Sequence, residues 1–274
     1  MSTEIARVRT ALVMARGLGT RMRAAAEETQ LDAAQSRMAE RGMKGMIDVG
    51  RPFLDHVVSA AADAGVTRVV LVIGPEHDEI RNYYGTVPAD RVTFEFAVQA
   101  EPLGTGDAVA CARAVIGDEP FFVLNSDNYY PASALEQLQG VDGMGLVGFD
   151  AAALSTKGNI PAERVRSFAL IEVTPDGHLA SIVEKPDAET FARLGADAPV
   201  SMNCYRFTPE IFDHLAELTP SARGEYELTD AVRAALASGD RIAVVRSDEP
   251  VLDLSTRHDV AGVQAILKDR EVRL

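Results

Sequence analysis

The chain has 274 residues, 47% of them hydrophobic, and a formal net charge of -14 at pH 7. That length can bury a substantial core, and the composition is that of a globular protein, not a disordered one. The acidic balance speaks against a phosphate-backbone binder, so no nucleic-acid partner is expected, although a local cluster of Arg and Lys can hold a small anion.

In chain order, strand-like and helix-like segments alternate. Arg9–Met14 reads as a strand. It breaks at Gly17 and Gly19, and the chain turns helical after Thr20 and Arg21. The polar, Ala-rich stretch Met22–Met43 reads as a lid or an extra surface helix. Pro52–Gly65 is a helix with Pro at its start and Gly at its end. Thr67–Gly74 is near-continuously apolar, as buried parallel strands are. A short helix at His77–Gly85, a strand at Val92–Gln99, a helix at Gly104–Gly117 and a strand at Pro120–Asp127 follow. Phe168–Pro186 reads as two strands around a Pro-Asp-Gly turn. A strand at Ser201–Phe207 leads into the helix Thr208–Leu218, then come a helix at Tyr226–Gly239 and a strand at Arg241–Ser247. The last helix is Ser255–Val272, with Ser255 or Thr256 as its cap. This order predicts an α/β fold with a doubly wound, mostly parallel, Rossmann-like mixed sheet flanked by helices. A single domain is expected, with a nucleotide-binding half over about 1–130 and an acceptor half over about 131–274.

Cys111 and Cys204 lie far apart in apolar contexts and read as buried free thiols of a reducing compartment. The five histidines are scattered, which excludes a His-rich metal centre. The N-terminal stretch has no signal-like apolar core, and no apolar run approaches the roughly 20 residues of a membrane span. A cytoplasmic protein without membrane contact is therefore expected.

Five segments carry chemistry. A strand running into Gly17-Leu18-Gly19-Thr20-Arg21 exposes backbone N–H groups that can bind phosphate oxygens. The pattern is not a Walker loop, since no Gly-Lys-Ser/Thr follows, and it lacks the third glycine of the dinucleotide fingerprint. Gln99 ends a strand before the Gly-rich turn at Pro102, Gly104 and Thr105, and its amide suits the edge of a nucleobase. Asp127 lies just past a buried strand, where ligands gather in open parallel sheets. Asp253 supplies a second carboxylate before a helix, and two acids without soft ligands suit Mg2+. Glu184 and Lys185 close another strand. Each feature alone has a plainer reading: a tight turn, a helix cap, a solvated pair.

Together, in this order, they resemble the sugar-1-phosphate nucleotidylyltransferases. The resemblance rests on Gly17, Gly19, Thr20 and Arg21; Lys44 before a Gly-x-Pro turn; Gln99 to Thr105; Asp127 with Asn128; Glu184 to Pro186; Asn203; Gly224 to Asp230; and Asp253. It implies a nucleoside triphosphate and a sugar 1-phosphate as substrates and Mg2+ as cofactor. It further implies that Ala15 to Arg21 bind the nucleotide, with the Gly17–Thr20 backbone cradling the triphosphate and Arg21 neutralising pyrophosphate, that Lys44 bridges phosphates near the α-phosphorus, and that Lys185 holds the sugar phosphate. Asp127 and Asp253 would bind the metal, and Gln99 with Gly104 would read the base. Asn128, Ala169, Glu184 and Asn203 would face the acceptor. A pyrimidine triphosphate is favoured through N3–H and O4, though adenine-using relatives carry a similar Gln. A homo-oligomer is left open. No hexapeptide repeat follows the last helix, so the β-helix domain of some relatives is not expected.

Three departures stand out. Arg16 replaces the usual Gly or Ala, Ala169 beside Phe168 replaces a usual Gly beside Tyr, and the Met22–Met43 segment is long, with no prolines flanking Lys44. They leave two alternatives open: a fold relative acting on a cyclitol or other non-sugar phosphate, and a catalytically silent nucleotide-sugar-binding subunit.

Overall fold

The computed structural model describes residues 5–24, 31–195 and 197–274. Eleven strands are present among these residues: β1 (Thr10–Met14), β2 (Arg68–Ile73), β3 (Thr93–Val98), β4 (Phe121–Asn125), β5 (Asn128–Tyr129), β6 (Met144–Phe149), β7 (Ala169–Val173), β8 (Leu179–Val183), β9 (Val200–Phe207), β10 (Ile242–Ser247) and β11 (Leu252–Asp253). The main sheet runs β10-β6-β9-β4-β1-β2-β3, with β7 joining β9 and β8 joining β7. β3, β2, β1 and β4 are mutually parallel, as are β6 and β10, while β9 runs antiparallel to β4, β6 and β7. The sheet is therefore mixed and mostly parallel, with helices on its faces.

Alternation along the strands supplies both faces. Ala11, Val13, Val69, Leu71, Phe122 and Leu124 pack into one apolar cluster with the helix Phe53–Asp63. Leu12, Met14, Val70, Val72, Phe121 and Val123 pack into the other, with the helices Thr105–Ala110 and Leu228–Ala237. Because both faces are covered, these strands are apolar throughout, which made them readable in the sequence.

From β1 the chain runs to β2 and β3 on one side and then returns to β4 on the other, so the switch in strand order falls between β1 and β4. Crevices of this kind sit outside the carboxyl ends of the two strands. Their register aligns Met14 with Asn125, so both strands end level.

Several boundaries differ from expectation. The helix predicted over Gly104–Gly117 is two helices, Thr105–Ala110 and Arg113–Ile116, because the ladder tightens where Ala112 N–H bonds the Val109 carbonyl (3.1 Å). The last helix is only Asp259–Leu267. Its predicted caps act in reverse: the Asp259 carboxylate accepts from the Ser255 and Thr256 backbone N–H groups (3.1 and 2.7 Å). β6 is unforeseen, since its glycines at 145 and 148 mask a buried strand; a Cβ at Gly148 would sit 2.9 Å from Ile171 Cδ1. In the Met22–Met43 stretch a helix spans Ala33–Arg41, capped by Asp32 in a reciprocal pair with Gln35. Residues 25–30 of that expected lid lie outside the described residues. No helix among the described residues is long and apolar enough to cross a membrane.

Gly42 ends the Ala33–Arg41 helix at φ 74°, and a Cβ there would lie 2.4 Å from the Leu18 carbonyl oxygen. Gly19, at φ 58°, faces Gly42 as closely, with its own Cβ position 2.5 Å from the Gly42 oxygen. The phosphate-loop candidate is thus docked backbone to backbone on this helix end. Gly42→Ala is expected to destabilise the protein by ~1–3 kcal/mol in urea unfolding; a midpoint equal to wild type would mean the contact yields freely.

Candidate active site

β1 and β4 deliver the site. Past Met14, Ala15 N–H still bonds the Val72 carbonyl (2.9 Å), and the chain then leaves the sheet through Arg16 to Gly19. Past Asn125, Ser126 N–H bonds the Met14 carbonyl (3.2 Å), which places Asp127 above the strand ends. Between them lies a cavity of about 470 Å3. Ala15, Arg16, Gly17, Leu18, Gly19, Thr20 and Arg21 line it, together with Lys44, Gln99, Pro102, Gly104, Thr105, Asp127 and Asn203.

Lys44 opens a single 3-10 turn, Lys44–Met46, and its Nζ donates to Asp127 Oδ2 at 2.7 Å. Burial works against the ammonium, but the Asp127 carboxylate and, behind it, Asp253 outweigh that and raise its pKa. Arg21 is near enough to oppose the lysine charge. Asp253 arrives on β11, whose pairing with β5 sets it opposite Asn128. It is 2% exposed. Its Oδ1 accepts from Asn128 Nδ2 (2.9 Å) and Ser255 Oγ (3.0 Å). Its Oδ2 lies 3.2 Å from Arg164 Nη2 but has no hydrogen-bond partner of suitable geometry. Arg164 is instead held by a two-pronged pair with Asp259, both contacts at 3.0 Å.

Burial, then the neighbouring Asp127 charge, push the Asp253 carboxyl up to about 6. Two adjacent carboxylates with one buried oxygen unpartnered form a site short of positive charge. Among the described residues no cluster of three acidic, histidine or cysteine side chains exists, so the protein offers a cation only a few oxygens. That donor set fits Mg2+, which leaves its other positions to water and phosphate.

Amide orientations follow from Asp253. A carboxylate only accepts, so Asn128 must turn its Nδ2 toward it. Asn128 Oδ1 then accepts from Asn125 Nδ2 (2.7 Å), and Asn125 Oδ1 accepts from Asn203 Nδ2 (3.4 Å). Among the described residues, none donates to the Asn203 amide oxygen. Asn203 stands at φ 55° in a bulge where Met202 to Cys204 face the single residue Val147 of β6. Asn128 is buried beneath the cavity and acts through this relay, off the wall where an acceptor would lie.

Gln99 is 3% exposed, and its Nε2 donates to the Gly104 carbonyl (3.0 Å) and to Asp107 Oδ2 (2.8 Å). Arg16 bends away from the glycine loop. Its Nη2 donates to Glu76 Oε1 (3.3 Å) and to the Ala100 carbonyl (3.1 Å), while Nε and Nη1 are buried without partners. The guanidinium lies over Gly74, where a Cβ would be 2.5 Å from Nε. Arg16 therefore ties the glycine loop to the Glu76 and Ala100 side of the cavity.

Ala169, Glu184 and Lys185, expected to face an acceptor, stand apart from the cavity wall. Ala169 is buried at the start of β7, opposite Ser201. Glu184 and the exposed Lys185 follow β8, Lys185 at φ 46°. Burial, then the nearby Glu227 carboxylate, raise the Glu184 pKa. Asn125, Asp107 and Arg164 were not singled out in the sequence, and Ser255 only as a helix cap. Asn125, two residues before Asp127 at a strand end, and Asp107, in the first helical turn after Gly104, had positional signals; Arg164 had none.

Two outcomes test this geometry. The Asp253 pKa near 6 lies above its ordinary 3.8, so between these values the folded protein holds a proton that the unfolded chain has released. Stability then falls as pH rises through that window, and the deficit persists above it. Asp253→Asn is expected to raise the metal-free melting midpoint at about pH 7.5 and to change it little at about pH 4; equal midpoints at both would place the carboxylate in water. Arg16→Gly is expected to change stability by under ~1 kcal/mol, because Glu76 is exposed, yet to raise nucleotide KM several-fold. Gly74→Ala should reproduce that KM change by displacing the guanidinium. An unchanged KM in both variants would make Arg16 a bystander.

The profile of the nucleotidyl transferase family matches residues 10–266. The chain is 28% identical over 202 residues to the low-salt glycan biosynthesis nucleotidyltransferase Agl11 of Haloferax volcanii, covering 72% of this chain and 52% of that protein. It is 29% identical over 258 residues to the UTP–glucose-1-phosphate uridylyltransferase of Bacillus subtilis, covering 83% and 80% of the two. The crystal structure of UDP-glucose pyrophosphorylase complexed with UDP-glucose superposes with a TM-score of 0.75 at 22% identity, over 96% of this chain and 100% of that one, a likeness of fold. The chain spans about half the length of several curated relatives, 52% and 44% for two of them. With the profile running through the glycine loop, both carboxylates and the last strand, the chain belongs to the nucleotidyl transferase family.

Proposed function

We propose that this protein transfers a nucleotidyl group from a nucleoside triphosphate to a sugar 1-phosphate, releasing pyrophosphate. The observation that carries the reading is the Lys44–Asp127–Asp253 charge cluster, set at the mouth of the glycine loop where β1 and β4 end.

A sugar phosphate is already an anionic nucleophile, so no side chain is needed to attack. One of its oxygens bonds to the α-phosphorus as the bond to the bridging oxygen breaks, and the electron pair leaves on pyrophosphate. Bringing two polyanions together is the obstacle, and positioning with electrostatic stabilisation overcomes it. The Gly17 to Thr20 backbone offers N–H groups to the triphosphate, and Arg21 neutralises the leaving group with a fork suited to phosphate. Lys44 lies between the two substrates, its ammonium kept charged by Asp127. Asp127 and Asp253 would hold Mg2+, which when bound offsets and orients the α-phosphate charge. Lys185 receives the sugar phosphate, while Glu184 and the Asn203 amide oxygen face sugar hydroxyls.

A pyrimidine triphosphate is supported by the Gln99 carbonyl at the base side, and by the Bacillus subtilis relative's name as a UTP-using enzyme. A cytoplasmic setting is supported by Cys111 and Cys204, both free thiols.

A panel of nucleoside triphosphates against several sugar 1-phosphates with Mg2+, read by pyrophosphate release, tests the reaction. Release with a uridine or thymidine triphosphate and a sugar phosphate is expected, lost by ~100-fold or more in Asp127→Asn with the fold retained. Release with non-sugar phosphates alone, or tight nucleotide binding without release on any acceptor, would refute it.

A further inference from the structure

Gln99 has one side-chain atom left for a ligand. Its Nε2 sits between the Gly104 carbonyl (3.0 Å) and Asp107 Oδ2 (2.8 Å). Neither neighbour can donate, so the atom between them is the amino group, and Oε1 is the acceptor that remains. The Gly104 carbonyl is also engaged by Ala108 N–H (3.1 Å), which leaves the charged Asp107 carboxylate as the stronger hold. The supporting turn is rigid. Gly104 stands at φ 110°, where a Cβ would lie 2.6 Å from the Tyr226 carbonyl oxygen. Tyr226 N–H bonds the Leu103 carbonyl and Gly106 N–H bonds the Tyr226 carbonyl, both at 2.7 Å. Leu228 N–H closes the buttress on Thr105 Oγ1 (3.0 Å).

We infer that Asp107 is a positioning residue that fixes the hydrogen-bond sense of Gln99 and so selects a uracil-like over a cytosine-like base edge. The inference rests on the nucleotidyl-transfer reading above. The two bases differ along this edge by exchange: N3–H and O4 in uracil, a bare N3 and an amino group in cytosine. A locked Oε1 accepts from N3–H and faces the lone pair of cytosine N3. Gln99 is almost wholly buried, so water does not relieve that mismatch. A Gln free to rotate would serve either edge.

Titration calorimetry with UTP and with CTP, in Mg2+ and without any acceptor, separates this from a structural role. The wild type is expected to bind UTP about tenfold or more tightly than CTP, and Asp107→Ala to bring the two within about threefold, mainly by tightening CTP. Asp107→Asn, close in shape, reads the same ratio if the alanine variant folds poorly. A loss common to both nucleotides, with the ratio unchanged, would overturn the inference while leaving nucleotidyl transfer standing. So would a wild type without preference for UTP. A wild type that binds neither nucleotide would overturn both readings.

Discussion

The site is organised around a shortage of positive charge. Asp127 and Asp253 are brought side by side at the end of the parallel strands, and among the described residues Lys44 is the only cation that directly hydrogen-bonds either of them. Like charges in a poorly solvated place repel, and a carboxylate with an unpartnered oxygen is expensive to keep ionised. Everything nearby answers that demand. Arg164 approaches from behind, Asn128 and Ser255 donate to the inner oxygen, and the open side faces a cavity lined by the glycine loop. A site poised in this way favours ligands that bring a cation with them, as a metal-bound nucleotide does.

The sheet makes that arrangement possible without distortion. β1 and β4 pair in register, so the loop after one and the acid after the other emerge level. β9, inserted against the grain, carries the bulge that turns Asn203 back toward Asn125. The Gly224 to Asp230 motif finds a mechanical role here: Tyr226 and Leu228 clamp the turn that carries Gly104 and Thr105. A motif shared with enzymes need not touch the substrate to be required by it.

Much of this was legible in the chain. Strands buried on both faces show as apolar runs, which is why β1, β2 and β4 were found, and glycine and acid positions at their ends marked the cavity. What escaped detection has physical causes. β6 carries glycines because Ile171 and Pro199 pack where a side chain at Gly148 would be, and Val141 where one at Gly145 would be, so it lacks the β-branched signature. The final helix was overextended because its apolar residues run on into a tail that docks on the body, with Arg273 N–H on Ser59 Oγ. Arg164 lies far along the chain from the acids it serves, and only the folded structure reveals an interaction of that kind. Asp107 was hidden by its own ordinariness, an acid in the first turn of a helix, where the backbone alone would justify it. Arg16, conspicuous in the sequence as an awkward cation in a phosphate loop, is accommodated by the bare backbone of Gly74.

The small ribbon of β5 and β11 has a consequence for how the protein is made. It pairs Asn128 with Asp253 and is what brings the second carboxylate to the first. A ribosome delivers Asp127 well before Asp253. By then β1 to β4 and β9 are available to pack, so the two negative charges meet on a scaffold already built. Assembly of the charged centre is thereby deferred to the last strand, and a nascent chain cannot form the paired acids before its sheet exists to hold them.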